Sequence, residues 1–370
     1  MSREAKRICD CSRIEDEAEL LFECAELIFP WLSPSNLASV SSTCKTLHQI
    51  SRIITTRRAS DAARSFEMNP IPFINCVDDQ PYFYFIYTRS QILGFTGSPP
   101  LAQQPWGFIT SPTNIKRSLS SRPSSDTGSD QNPMRSISKM LELDSGCDCK
   151  SCSQSHQVKE VGESECCTCS TIRPELLDSS PETEMVMTEC GPSCACGLDC
   201  EYRSTLRGIS IRLTIVKDRR KGWGLHAAQF IRHGMFVCEY AGEVLTTEEA
   251  RSRHQKYDEL ASISQFSSAL LVVREHLPSR KACLRVNIDA TRVGNVARFI
   301  NHSCDGGNLS TVLVRNSGLL LPRLCFFASR DIQEGEELTF SYGDVRLRPN
   351  GLQCFCSSSG CFGVLPSEQT

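Results

Sequence analysis

The distribution of cysteine is the feature that most limits what this chain can fold into. The sequence has 22 cysteines, and ten of them fall between Cys147 and Cys200. Cys-x-Cys and Cys-x-x-Cys pairs hold two thiols too close for an unstrained disulfide, but they can turn both sulfurs towards one tetrahedral Zn²⁺. The first dozen residues are charged and lack the apolar stretch of a secretion signal, so we expect a reducing compartment in which thiols bind metal.

Nine of these ten cysteines form a consistent set of zinc ligands. Cys166 and Cys167 are adjacent; the spacing favours Cys167, because Cys167-Thr168-Cys169 repeats the Cys-x-Cys pattern, but the choice between the two stays open. Three zinc ions need about 12 tetrahedral positions, so nine thiolates suffice if three of them bridge two metals. Separate buried or redox cysteines are the alternative, and they do not explain this density. The predicted ligands are Cys147, Cys149, Cys152, Cys167, Cys169, Cys190, Cys194, Cys196 and Cys200.

A second group of cysteines lies at the C-terminal end of the sequence. Cys354, Cys356 and Cys361 follow the pattern C-x-C-x4-C. Three thiolates leave a tetrahedral zinc ion one ligand short, so a fourth ligand is expected from elsewhere in the chain. With both groups metallated, the formal net charge of −3 becomes about −8, which favours a basic peptide as partner.

The N-terminal region is predicted to be helical. Apolar residues recur at helix spacing in residues 1–59, Pro30 is expected to end the first run, and Ser33 followed by Pro34 is typical of a helix start. The stretch from Leu27 to Ile53 resembles an F-box, a helical module that binds an adaptor of ubiquitin ligases. An ordinary pair of packing helices is the alternative, so a ubiquitin-ligase adaptor is a partner that the sequence leaves open.

Composition divides the rest of the chain. Residues 60–95 are strand-like, and residues 96–144 are rich in serine, proline and glycine, which predicts a flexible insert. After residue 208, short apolar runs alternate with glycine and charged turns, which favours a mostly β domain whose best helix spans 247–260. No apolar run approaches the roughly 18 residues that cross a bilayer, so a membrane protein is excluded.

Four motifs in the β-rich half carry the specific functional signal. They are KGWGLHA from Lys221, CEYAGE from Cys238, GNVARFINHSC from Gly294 and GEELTFSYGD from Gly335. Each is weak alone, but they occur in order and lie between the two cysteine groups. Together they resemble the SET domain of protein lysine methyltransferases. The whole arrangement is similar to the pre-SET, SET and post-SET order of the suppressor-of-variegation family of histone methyltransferases.

This resemblance implies a fold and a domain organisation. A zinc-cluster pre-SET region is expected over 145–203, a mostly β SET domain with short helices over 208–343, and a zinc-binding post-SET site over 350–366. The small α-helical N-terminal region precedes them. Residues 65–87 are similar to the segment that, in this family, precedes the cysteine block and wraps the SET core.

The resemblance also implies an activity and a location. It implies transfer of methyl groups from S-adenosylmethionine to a histone H3 tail, with lysine 9 favoured, and so a nuclear, chromatin-associated silencing protein with the nucleosome as a further partner. Tyr342 would orient the lysine amine, and Tyr240 would line the channel. Phe340, two positions before Tyr342, would leave space for two or three methyl groups.

The cofactor and metal contacts are implied in the same way. Cys304, directly after the His302-Ser303 pair, matches the family's fourth ligand for the C-terminal zinc ion. The implied cofactor contacts are Lys221, Gly222, Trp223, Gly224, Arg298, Asn301 and His302.

Some positions depart from the family pattern. The segment from Cys304 to Asn308 is one residue longer than usual and lacks the usual proline, which puts the geometry of this loop in doubt. No tyrosine occurs around Ser267–Leu270, where the family often has a cofactor contact, so cofactor affinity is also in question. Two alternatives remain at this point: a lysine methyltransferase for a non-histone protein, and an adaptor whose SET part only binds substrate.

Overall fold

The structure is a computed structural model of the chain. Cys167 and the predicted insert at 96–144 lie outside the residues that it describes. The described residues are 20, 23–25, 27–93, 146, 147, 149, 152, 169, 186–263, 266–276, 283–343 and 351–366.

The N-terminal part is helical, as predicted, but the predicted run that starts at Ser33 and Pro34 divides into two helices. Helix α1 spans Pro34–Ser41 and helix α2 spans Lys45–Ser60. The Ser33 hydroxyl caps α1 by accepting a hydrogen bond from the Asn36 N–H at 3.2 Å. The first predicted run ends near Pro30, as expected: the described α-helical residues reach Ile28, and Pro30 lies in the 3-10 turn Phe29–Trp31 that follows, where a missing N–H near the start costs little.

The segment after α2 contains little regular structure. Its strands are only two residues long: β1 (Phe73–Ile74), β2 (Ile86–Tyr87) and β3 (Ile92–Leu93). Its aromatic side chains enter the core instead, and the rings of Phe73 and Phe85 pack edge-on against Phe299 at 5.8 and 5.6 Å between centroids. The segment therefore wraps the β domain through side chains more than through strand pairing.

Within the described residues, three small sheets and one strand pair build the β domain. The sheets have the orders β1-β5-β6, β2-β10-β8-β3 with β9 paired to β10, and β4-β12-β13-β7, and β11 pairs with β14. The strands are β4 (Val186–Glu189), β5 (Leu213–Asp218), β6 (Gly222–Ala227), β7 (Phe236–Glu239), β8 (Gly242–Leu245), β9 (Leu270–His276), β10 (Cys283–Gly294), β11 (Asn301–His302), β12 (Leu309–Asn316), β13 (Arg323–Ala328) and β14 (Thr339–Phe340).

The largest apolar cluster among the described residues joins these sheets. Its fully buried members include Leu225, Ile288 and Phe326, from three different sheets. The longest described helix, α3 (Thr247–Ile263), agrees with the predicted helix at 247–260. Among the described residues no helix is long and apolar enough to cross a membrane. The predicted fold class, mostly β with short helices, is confirmed.

Pairing of two very short strands brings the last two motifs together. In the parallel pair of β11 and β14, Asn301 lies opposite Thr339 and His302 lies opposite Phe340. The Leu338 N–H then donates to the Leu225 carbonyl at 2.8 Å, which adds the glycine-rich strand β6 to the same place. Residues far apart in sequence thus meet at one site.

Candidate active site and metal centres

The two tyrosines predicted to be catalytic lie beside this strand pair: Tyr240 is buried in the core, and Tyr342 is half-buried and packs against it. Tyr240 follows β7, and its hydroxyl donates to the Ala269 carbonyl at 2.7 Å. Tyr342 follows β14, and its hydroxyl donates to the Ile300 carbonyl at 2.9 Å. Burial raises the pKa of both phenols well above the ordinary value, and the proximity of Tyr342 adds to the rise at Tyr240. Both groups are therefore neutral at physiological pH and keep oxygen lone pairs that can accept a hydrogen bond.

Phenylalanine rings connect the two tyrosines. Ring centroids lie 6.4 Å apart for Tyr240 and Phe326, 4.8 Å for Phe326 and Phe340, and 5.0 Å for Phe340 and Tyr342. Phe340 is buried, and its ring carries no group that could anchor a water molecule. The structure thus places the predicted product-specificity residue between the predicted catalytic pair, on one continuous aromatic wall.

Asn295, which the sequence reasoning missed, holds the backbone of Tyr240. Its side-chain amide donates to the Glu239 carbonyl at 2.6 Å, and its side-chain oxygen accepts from the Ala241 N–H at 3.4 Å. The same oxygen caps the 3-10 turn Val296–Phe299. Asn295 is buried and fixes the peptide groups on both sides of Tyr240. An asparagine just before a helical turn is a capping signal that was present in the third motif.

The predicted cofactor residues of the first motif meet Asn301. Its side-chain amide lies 3.4 Å from the carbonyl oxygen of Trp223. Gly222 has a φ of 78°, which a residue with a side chain rarely adopts. A Cβ atom on Gly224 would come within 2.9 Å of a Glu337 carboxylate oxygen and 3.1 Å of the Asn301 amide nitrogen. Only glycine therefore fits at position 224, because the Glu337 and Asn301 side chains lie so close to the main chain.

Glu337 is a second residue that the sequence reasoning missed. Its carboxylate accepts from the Lys221 ammonium at 2.5 Å and from the Asn301 amide at 2.9 Å. It lies in the fourth motif, next to an equally acidic Glu336, and spacing along the chain does not distinguish the two residues. Only the pairing of β6 with this segment places Glu337 among the predicted cofactor residues.

His302 and Arg298 have their polar side-chain atoms engaged by the protein itself. The His302 Nδ1 accepts from the Tyr342 N–H at 3.1 Å, and its Nε2 lies 3.2 Å from the Cys304 sulfur. Burial lowers the pKa of His302, which favours the neutral ring. The Arg298 guanidinium donates to the Ala290 carbonyl at 2.9 Å and stacks on Phe83 at 4.2 Å. Through their side chains, both residues shape the site by supporting neighbouring groups.

The N-terminal cysteine cluster, residues Cys147 to Cys200, brings together the eight predicted ligands that the structure describes. Sulfur–sulfur distances are 3.7 Å for Cys147 and Cys152, 3.9 Å for Cys147 and Cys190, and 3.4 Å for Cys152 and Cys190. Four sulfurs around one zinc ion lie about 3.8 Å apart, so the spacing fits this metal. Two sets of four sulfurs lie within 4.8 Å of one another: Cys147, Cys152, Cys190 and Cys196, and Cys147, Cys169, Cys190 and Cys194.

Cys147 and Cys190 belong to both sets, which is the arrangement expected of thiolates that bridge two metals. Hydrogen-bond donors surround the sulfurs. Two backbone N–H groups, those of Cys147 and Gly191, point at the Cys194 sulfur at 3.3 and 3.2 Å. Arg203 donates to the Cys196 sulfur at 3.3 Å. Burial alone raises the pKa of Cys196, but the Arg203 bond and neighbouring thiols outweigh it and lower that pKa.

A buried arginine ties this cluster to the strand that leads to Tyr240. Arg323 donates to Glu239 at 3.0 Å and to Glu189 at 3.3 Å. Glu189 immediately precedes the predicted ligand Cys190, and Glu239 immediately precedes Tyr240. The cysteine cluster and the aromatic site thus share one buried charge network.

The C-terminal cysteine site, Cys304, Cys354, Cys356 and Cys361, is the third set whose sulfurs lie within 4.8 Å of one another. The Cys304 and Cys354 sulfurs are 3.8 Å apart, as expected for two ligands of one zinc ion. Burial alone raises the pKa of Cys356, but hydrogen bonds from Ser358 and from the Cys304 backbone lower it to about 6. The thiolate, the form that binds zinc, is thereby favoured.

The lengthened loop after Cys304 is accommodated by its two glycines. Gly306 and Gly307 have φ values of 95° and 77°, where residues with side chains are strained. A Cβ atom on Gly307 would also overlap the Thr339 carbonyl. The Asp305 carboxylate closes the loop by accepting from Ser303 at 2.6 Å and from the Gly307 N–H at 3.1 Å. The extra residue is therefore absorbed locally, next to β14.

Comparisons with known proteins agree with this geometry. The family model described as SET domain matches residues 222–343. The chain is 50% identical to histone-lysine N-methyltransferase SUVR3 of Arabidopsis thaliana. The alignment spans 365 residues and covers 98% of this chain and 96% of that protein. The chain belongs to the SET-domain family of histone-lysine N-methyltransferases. The predicted family and enzyme class are confirmed.

Two further relatives are informative. The chain is 33% identical over 204 residues, 50% of its own length and 39% of the other, to the Schizosaccharomyces pombe protein named histone-lysine N-methyltransferase, H3 lysine-9 specific. It also resembles the crystal structure of KRYPTONITE in complex with mCHG DNA and S-adenosylhomocysteine (SAH), with a TM-score of 0.52 and 25% identity over 82% of this chain and 52% of that one.

In this SET-family protein the N-terminal helices pack against the catalytic part. The buried Arg58 donates to the Tyr82 hydroxyl at 3.0 Å and to the carbonyls of Pro30 and Leu32 at 3.0 and 2.7 Å. Leu37, in the F-box-like stretch, is 3% exposed and belongs to the core of the helical pair. The apolar face of the helical pair is therefore buried within the chain. Binding of a ubiquitin-ligase adaptor stays a prediction.

Proposed function

We propose that this protein methylates lysine 9 of histone H3, using S-adenosylmethionine as methyl donor. The observation that carries the proposal is the pair of neutral tyrosines, Tyr240 and Tyr342, joined by one wall of aromatic rings. The name of the fission-yeast relative, which specifies lysine 9 of H3, supports this substrate over other lysines. A histone tail is basic, and the metallated chain is acidic, which favours their association.

The chemistry needs a neutral amine held in line with the methyl group. The bound cofactor supplies a methyl group on a sulfonium cation. A lysine ammonium has an ordinary pKa of about 10.4, but removal from water between aromatic rings, beside a positive charge, lowers it and favours loss of the proton to solvent. The Tyr342 oxygen, whose own proton is committed to the Ile300 carbonyl, then accepts an N–H of the amine and orients its lone pair.

The cofactor residues are proposed to act mainly through backbone and amide groups. Lys221, Trp223 and Asn301 converge on one edge of β6, where Gly222 leaves the main chain open and Gly224 makes room for the Asn301 amide. The side chains of Arg298 and His302 are proposed to hold this site from behind.

Phe340 is proposed to allow two or three methyl groups to be added. A methylated amine must rotate to present its lone pair, and the methyl groups need the volume that a water anchored by a tyrosine hydroxyl would occupy. Phe340→Tyr should therefore shift the product towards monomethyl-lysine, with little loss in the first transfer. Mass spectrometry of an H3 peptide over time measures this, and an unchanged product distribution would show that Phe340 does not control it.

A radiolabelled methyl-transfer assay tests the function itself. We expect activity on an H3 peptide that is lost only when lysine 9 is replaced, and retained when lysine 4, 27 or 36 is replaced. Tyr342→Phe should lower kcat by about 10²-fold, because it removes one polar group that acts on the reacting amine. Tyr82→Phe, which removes a hydroxyl bonded to Arg58 outside the channel, is the matched control and should keep full activity. Equal activity on all peptides would overturn the assignment of lysine 9.

The metal content is proposed to be four zinc ions. Three would be held by the N-terminal cysteine cluster with Cys167 as ninth ligand, and one by the C-terminal cysteine site. Elemental analysis of the purified protein should find close to four zinc ions per chain, and one or two would contradict the shared-ligand cluster. The protein is further proposed to act at chromatin in the nucleus, with silencing as the outcome and the nucleosome as its larger partner.

A further inference from the structure

Glu337 is an acidic side chain at the point where three of the four motifs meet. Its carboxylate bonds Lys221 of the first motif and Asn301 of the third, while Glu337 itself belongs to the fourth. We propose that Glu337 is a specificity-determining residue that makes this site prefer the cationic methyl donor to the uncharged thioether product. This inference rests on the proposed function, because it assumes that the cofactor binds beside Asn301.

The contacts of Asn301 give Glu337 a positioning role as well. The Asn301 amide nitrogen donates to Glu337 at 2.9 Å and lies 3.4 Å from the Trp223 carbonyl oxygen, so both of its protons are directed at protein acceptors. The Asn301 side-chain oxygen is then left as an acceptor. A carboxylate and an aligned amide oxygen on one edge of β6 form an environment suited to a positively charged ligand.

Lys221 moderates that environment. Its ammonium lies 2.5 Å from Glu337, and the two side chains are 24% and 20% exposed, so the pair is neither deeply buried nor fully solvated. Two other titratable side chains lie near this point: His226, whose Nδ1 contacts the Gly335 carbonyl at 3.1 Å, and Tyr342, whose pKa is raised by burial and by the Glu337 charge. The donor and the product differ by one methyl group and one positive charge. A charge at Glu337 therefore changes the affinity for the donor more than the affinity for the product. A contact to the parts that the two ligands share changes both affinities equally.

Calorimetric titration of the zinc-loaded full chain with S-adenosylmethionine and with SAH separates these effects. Glu337→Gln should weaken binding of both ligands, because Asn301 loses its fixed orientation. The donor should lose more, so that the ratio of donor to product affinity falls by about threefold to tenfold, a size typical of one partly screened charge. Lys221→Met should move that ratio in the opposite direction, because it removes the competing cation.

Two further variants control the experiment. Glu336→Gln changes the neighbouring carboxylate, which pairs with Arg330, and should leave the ratio unchanged. Glu337→Asp keeps the charge on a shorter side chain, so it should weaken both ligands while preserving the ratio. Should Glu337→Gln fail to fold or to retain zinc, the contrast between Glu337→Asp and Lys221→Met still decides the question.

Each outcome has one meaning. If Glu337→Gln weakens both ligands equally, Glu337 only positions Asn301 and the proposed preference is wrong. A wild-type chain that binds both ligands, with a ratio that none of the variants changes, overturns this inference but leaves the proposed function standing. A zinc-loaded wild-type chain that binds neither ligand overturns the proposed function and this inference with it.

Discussion

The two cysteine regions use the same ligand chemistry but differ in what surrounds them. In the N-terminal cysteine cluster most described sulfurs are buried, and Arg203 and backbone N–H groups donate to them. In the C-terminal cysteine site three of the four cysteines are partly exposed, and the tail keeps few apolar contacts, with Leu352 62% and Phe362 54% exposed. The N-terminal cysteine cluster therefore forms a small core of its own from metal and sulfur. The C-terminal tail is attached to the rest of the protein mainly through its zinc site.

The attachment points explain what each region does for the catalytic site. The cluster reaches Tyr240 through Glu189, Arg323 and Glu239, a network that is buried throughout. The C-terminal site reaches Tyr342 directly, since Cys304 contacts His302 and His302 accepts from the Tyr342 N–H. Loss of zinc from the N-terminal cysteine cluster should therefore unfold the protein. Loss of zinc from the C-terminal cysteine site should only open the active site.

The largest effect is expected at the cluster. Cys190→Ser removes a sulfur that both described sets of four share, so at least two zinc ions should be lost and the chain should not fold into a soluble form. Zinc content and circular dichroism measure this. A folded variant that has lost a single zinc ion would show that Cys190 is a terminal ligand and that the cluster is less interdependent than its geometry indicates.

The next effect is expected in the network between the cluster and Tyr240. Arg323→Met leaves the buried carboxylates of Glu189 and Glu239 without their cation, which should cost about 3–5 kcal/mol of unfolding free energy. Arg330→Met, at an arginine whose side chain is 54% exposed, is the matched control and should cost at most about 1 kcal/mol. Equal losses in denaturant unfolding would mean that the network does not join the two regions.

A smaller effect on stability, but a large one on activity, is expected at the C-terminal site. Cys356→Ser should remove one zinc ion and most methyl transfer while the global unfolding midpoint stays close to that of the wild type, because this tail adds little to the core. Elemental analysis beside thermal unfolding tests the contrast. Simultaneous loss of all zinc would contradict the separation of the two regions.

The smallest effect is expected where the C-terminal tail contacts the turn just before the first motif. The Arg220 guanidinium lies 5.6 Å from the centroid of the Phe355 ring, an exposed cation–π contact worth about 0.5–1 kcal/mol. Arg220→Ala should make zinc release from the C-terminal site slightly easier in a chelator titration. Arg219→Ala, in the same turn, is the control, and a difference between the two variants would show that the contact helps to hold the tail in place.

Local sequence patterns predicted local features well. Ser33 and Pro34 marked a helix start that the structure contains, and the best helical stretch after residue 208 became α3. The apolar stretch in the fourth motif, residues 337–342, shows the limit of such patterns. Only Thr339–Phe340 is paired as a strand, because the Tyr342 N–H turns to the His302 ring instead of to a neighbouring strand. A pattern of apolar residues does not show that a distant side chain, here the His302 ring, will accept a hydrogen bond from a backbone N–H that a strand would use.

The sequence by itself determined the family, the two cysteine groups and the four motifs, because each depends on residues a few positions apart. Only the tertiary structure decided which residues from different motifs touch. Glu337 could not be told from Glu336, and Asn295 and Arg323 looked like ordinary polar residues, until β6, β7, β13 and β14 came together. Their roles depend on distances across the core, which are set by strand pairing and burial and not by spacing along the chain.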